Sequence, residues 1–225
     1  MTRAGAPPKV RPMRSNACFV LPPRTERIAD GVVQGVNVLL AVAGCVALGV
    51  LALSNADPLR GAALAAYGVG LLSMVVCSAL YAWKRGSRRR ELYRHLDQAA
   101  IFVMIAGTYT PFIVAAPGGA YRLRLLAGIW GVAVIGALFK LLASRRFEPF
   151  AVPLYLIMGW AILSDPMLVF SLPLAVAALL VAGGVFYTVG VMFHLARIPF
   201  QEAIWHSFVL AAAACHYTAI VRIAA

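Results

Sequence analysis

Residues 200–221 read FQEAIWHSFVLAAAACHYTAIV. The stretch is long enough to cross a bilayer's hydrocarbon core as one helix. It nevertheless carries Glu202, His206 and His216. Ionisable groups inside an apolar span are expensive to bury, which makes each one a functional candidate. Glu202 and His206 stand at i and i+4, on one helix face, where both can reach a single ion or water. His216 lies ten residues further on, about 15 Å along the axis and roughly 80° around it. The stretch therefore holds one candidate site and one separate, deeper histidine.

The rest of the chain has the same character. Its 225 residues are 62% hydrophobic and 12% charged, with a mean hydropathy of +0.85. Soluble domains carry about twice that share of charge. The expected fold is an all-α integral membrane protein, a bundle of seven transmembrane helices. The expected spans are 29–54, 59–83, 96–116, 123–143, 150–164, 167–194 and 200–223. The fifth is short. Pro153, Pro166 and Pro173 lie in or beside spans five and six, which predicts a kink or a late start there.

Orientation is read from lysine and arginine. With the N-terminus cytosolic, 16 of the 20 fall in cytosolic segments, and only Arg60, Arg122, Arg124 and Arg222 fall outside. The expectation is a cytosolic N-terminus and an extracytosolic C-terminus. These cations account for the net charge of +12 as anchors at anionic headgroups, so membrane lipids are the expected partners and nucleic acid is not. Residues 1–24 hold no long apolar run; they read as a Pro- and Arg-rich cytosolic tail, ahead of a membrane domain over 25–225, and not as a cleaved signal peptide. Cys18, Cys45, Cys77 and Cys215 form no CxxC pair, which points to packing residues rather than a disulfide framework or a thiolate metal site.

In this orientation the polar groups inside the spans share one depth. Asp30 and Gln34 open span one. Ser78 and Ala82 close span two. Asp97 and Gln98 open span three, His194 closes span six, and Glu202 and His206 open span seven. The structural alternative is that Asp30 and Asp97 cap their helices and that Glu202 answers a helix dipole.

The segments ERIADGVVQG, SALYAW, LDQAAIFVMIAGTYTPF, PLYLIMGWAIL, GGVFYTVGVMF and AIWHSFVLAAAACHY follow in order along the chain. Together they resemble the hemolysin III family, the bacterial branch of the progestin and adipoQ receptor superfamily. The resemblance covers residues 24–222. It implies a seven-helix bundle in a bacterial inner membrane, linked to membrane lipid homeostasis and in some members to haemolysis. It also implies a zinc site near the cytosolic side, built from a histidine ending helix two and a pair in the last helix, with an aspartate opening helix three.

Carried over residue by residue, the match is partial. The serine is Ser78 and the aspartate Asp97, the catalytic candidates. The first ligand position is Ala82, which offers no donor. The last-helix pair reads Glu202 and His206. Gln34 and Gln98 stand where the family has further histidines. Two readings stay open. In one, zinc is lost and the protein senses lipids, packs among them or forms pores. In the other, Asp97, Glu202 and His206 hold a metal whose water cleaves a lipid amide. Substrate and oligomeric state are not legible.

Overall fold

The computed structural model describes residues 22–116, 119–142 and 148–224. Most of the expected N-terminal tail, Cys18 included, lies outside these residues. The described chain is helical: α1 Arg24–Ser54, α2 Pro58–Trp83, α3 Arg90–Ala115, α4 Gly119–Leu142, α5 Glu148–Trp160, α6 Pro166–Ser171, α7 Leu174–Leu195 and α8 Gln201–Ala224. Six of these are long and apolar enough to cross a membrane, and 150–164 forms a shorter apolar helix.

The departures from the expected spans have local causes. α1 starts at Arg24 and α3 at Arg90, so charged residues form their first turns and the apolar run begins further in. α5 runs through Pro153 unbroken, and the sixth span breaks at Pro173. α5 ends in a 3-10 turn over Ala161–Ser164, and α6 stops before Pro173, which starts α7 afresh. The Asp165 side chain accepts from the Leu168 N–H and caps α6. Tyr109 closes the gap where the helix changes pitch. Its hydroxyl donates toward the Met158 and Gly159 carbonyls and accepts from the Ile162 N–H, filling bonds that the broken helix leaves open.

The helices form a ring. α1 packs on α2, α2 on α3, α3 on α5, α5 on α7, α7 on α8, and α8 returns to α1; α4 leans on α3 from outside. Between helices in lipid there is little hydrophobic gain, so small residues and interhelical hydrogen bonds hold the ring. α2 and α3 cross closely at two glycines. A Cβ on Gly107 would stand 3.0 Å from the Ala66 carbonyl oxygen, and one on Gly70 would stand 3.2 Å from the Met104 Cα. α1 buries Asp30, Gln34, Asn37, Ala41 and Leu48. That is a single stripe at helical spacing, polar at the Asp30 end and apolar beyond, and the ring encloses its polar end.

Candidate functional site

The stripe on α1 meets α2 and α8 at a chain of hydrogen bonds. Gln34 Nε2 donates to Ser78 Oγ at 2.7 Å. Ser78 Oγ lies 3.1 Å from His206 Nε2. His206 Nδ1 lies 2.6 Å from Asp30 Oδ1. The other Asp30 oxygen accepts from an Arg85 guanidinium nitrogen at 2.5 Å. Arg85 also approaches Glu202, at 4.0 Å, and its guanidinium carbon stands 5.6 Å from the centre of the Tyr81 ring. Asp30, Gln34, Ser78, Arg85 and His206 are all buried. Glu202 is the wet edge, with 33% of its side chain exposed.

The proton positions follow from the partners. A carboxylate can only accept, so the Nδ1 of His206 carries the hydrogen toward Asp30. In the neutral form with that tautomer, Nε2 is an acceptor for the Ser78 hydroxyl. Ser78 Oγ accepts from Gln34, and its single hydrogen is shared between two neighbouring acceptors, His206 Nε2 and the Asp97 carboxylate.

This cluster closes one end of a cavity of about 320 Å³, within the range of small-ligand sites. Gln34, Ser78, Asp97, Glu202 and His206 line that end; Met104, Phe112, Ile162, Val169 and Leu180 line the remainder, with Tyr109 and His216. Two buried acceptors in the lower wall, Gln34 Oε1 and Asn37 Oδ1, have no protein partner.

The structure brings Ser78, Asp97, Glu202 and His206 to one cavity. Asp97 accepts a hydrogen bond from Ser78 and lies within electrostatic reach of His206, Glu202 and Arg85. Ala82 does not line the cavity. His216 sits apart, with Nε2 3.1 Å from the Leu180 carbonyl oxygen and its ring tilted against Tyr187. His194 also lines the cavity, packs against Trp205, and accepts through its carbonyl from the Gln201 side chain. The cap reading of the two aspartates does not survive. The N-cap residues are Pro23 for α1 and Arg89 for α3, and Asp30 lies well inside its helix. The sequence places Asp30 in the polar layer without its role as the anion for His206, and leaves Arg85, its counter-ion, among the headgroup cations.

A zinc ion would need these donors free to coordinate it. Both His206 nitrogens are engaged, one by Asp30 and one by Ser78. The acidic groups beside it face the Arg85 cation. Among the described residues, no group of three or more His, Cys, Asp or Glu is placed to hold a metal ion. As arranged, these residues do not fit a zinc centre.

Fold and site together define a multi-pass helical membrane protein with a buried polar cluster at one end of an intramembrane cavity. Comparison with known proteins gives the family. Residues 33–217 match the family model described as Haemolysin-III related, and the chain belongs to the hemolysin III family of the progestin and adipoQ receptor superfamily. It is 34% identical over 198 residues to the Hemolysin-3 homolog of Bacillus subtilis (strain 168), covering 87% of this chain and 93% of that protein. It is equally similar to Hemolysin-3 of Bacillus cereus, over 87% and 90% of the two chains. The human Monocyte to macrophage differentiation factor is 31% identical over 163 residues, 68% of this chain and 67% of that one. No solved structure matches.

Proposed function

We propose that the protein binds a membrane lipid in the cavity, as part of membrane lipid homeostasis or sensing, through a site that has given up zinc. The observation that carries this reading is the cavity's polarity. The polar lining comprises Gln34, Ser78, Asp97, Gln98, Glu202 and His206 with the cations Arg94 and Lys140, and most of the remaining wall is apolar. An amphipathic molecule with one chain matches that division: the chain takes the apolar wall and the polar group takes the cluster. The unpartnered Gln34 Oε1 and Asn37 Oδ1 call for donors on the ligand, because buried acceptors left unpaired are costly. Arg85 supplies the positive charge that a metal would otherwise place among the acids. In a bacterial inner membrane with the N-terminus cytosolic, the polar end lies in the cytosolic leaflet.

The test is binding of a fluorescent single-chain lipid to purified protein in detergent, with native lipids identified by mass spectrometry. Val209 lines the cavity one turn beyond His206. Val209→Trp should fill the space and weaken binding by at least tenfold while the helix content is unchanged. Equal affinity in the two proteins would remove the cavity as the lipid site.

A further inference from the structure

We propose that Ser78 is a nucleophile, with His206 as its base, and that the cluster hydrolyses an acyl ester of a single-chain lipid whose alcohol portion carries free hydroxyls. The inference rests on the lipid reading above and adds covalent chemistry to it.

The argument begins with the Ser78 hydroxyl. Helical serines and threonines often bond a carbonyl of their own helix, as buried Thr108 and Thr110 and the less buried Ser73 and Thr188 do. Ser78 instead meets side chains from three other helices, Gln34, His206 and Asp97. It also lines the cavity. Its distance to Nε2, 3.1 Å, is within reach for a base that takes a proton from a nucleophile. The base is oriented in turn by a third group, Asp30, at 2.6 Å from Nδ1. Nucleophile, base and oriented carboxylate in this order form an acyl-transfer constellation, recognised by geometry and roles rather than chain order. Arg85 on the second Asp30 oxygen holds the carboxylate in place. Asp30 and Arg85 are positioning residues; Ser78 and His206 are the catalytic pair.

The step balances as follows. Ser78 Oγ attacks the acyl carbon while His206 Nε2 takes the hydroxyl proton. The carbonyl oxygen becomes an oxyanion next to the Gln34 amide, which donates to Ser78 Oγ in the resting site and has a second N–H for the new charge. Collapse breaks the bond from the acyl carbon to the alcohol oxygen, and the imidazolium returns its proton to that oxygen. Water, entering past the one-third-exposed Glu202, attacks the acyl-Ser78 ester as His206 takes its proton, and collapse breaks the acyl–Oγ bond with that proton returned to Ser78 Oγ. The products are a fatty acid, the alcohol and a regenerated serine. The free hydroxyls of the alcohol portion match the unpartnered Gln34 Oε1 and Asn37 Oδ1.

The experiment uses the full chain in detergent with an alkyl fluorophosphonate, which labels activated serines, and with the 4-nitrophenyl ester of a long-chain fatty acid. Peptide mapping of wild-type protein should place the label on Ser78. Ser78→Ala and His206→Ala should each lower ester turnover by about 10³-fold or more, and the double variant should lose little beyond either single one, because such residues act as a unit. Ser73→Ala should label and turn over as wild type. Asp30→Asn should lower kcat with KM nearly unchanged. A wild-type protein that binds the fluorescent lipid yet takes no label at Ser78 overturns the nucleophile and leaves lipid binding standing. Label on another serine also overturns it. Ester turnover that survives Ser78→Ala does the same.

Discussion

Asp30 and Arg85 are the residues on which the buried cluster depends. A buried ion pair gains little over an apolar pair of the same shape, but removing one member strands the other. Arg85→Gln leaves Asp30 facing only His206, and should destabilise the protein by about 3–5 kcal/mol, read as a lower thermal midpoint in detergent. Asp30→Asn combined with Arg85→Gln removes both charges and should recover a good part of that loss. If the double variant is as unstable as the sum of the singles, the two charges are not coupled. The sequence made half of this visible. Asp30, Gln34, Ser78, Asp97, Glu202 and His206 stand at matching depths in their spans, and the depth rule is physical: polar groups in lipid need one another. It could not reveal that Arg85 belongs with them. In the run Lys84, Arg85, Gly86, Ser87, Arg88, Arg89, Arg90 every cation reads as a loop residue at the headgroups, and nothing in the spacing marks the one that folds back into the bundle.

At the scale of the helix, close approach sets what the ring tolerates. Gly107 faces the Ala66 carbonyl, which is backbone and cannot swing away. Gly107→Val should force α2 and α3 apart and cost about 1–3 kcal/mol. Gly49 and Gly128 face open space, and alanine there should leave the thermal midpoint unchanged or slightly raised, since alanine favours the helix. A neutral Gly107→Val would mean that the two helices do not cross where the structure places them. The long apolar runs made the other elements legible. The fifth and sixth spans were harder to read, because prolines at 153, 166 and 173 permit several break points. The structure chooses among them through Tyr109, whose hydroxyl bonds α5 and the 3-10 turn from α3, a tertiary effect that local pattern does not carry.

The whole molecule is a ring of helices around a cavity with one polar end, and its orientation decides which leaflet supplies the ligand. A reporter fused after Ala225 should read as extracytosolic, and one inserted among residues 86–89 as cytosolic. The reverse pattern would turn the polar end outward and give the site a different lipid pool. On the reading proposed above, Arg85 and the His206 hydrogen-bond chain balance charge in the polar cluster, in place of the metal that the family resemblance implies. Elemental analysis of protein purified without chelator is the direct test. It should find far less than one zinc per chain, and added zinc should leave the thermal midpoint unchanged. One zinc per chain in the wild type, lost in His206→Ala, would contradict it.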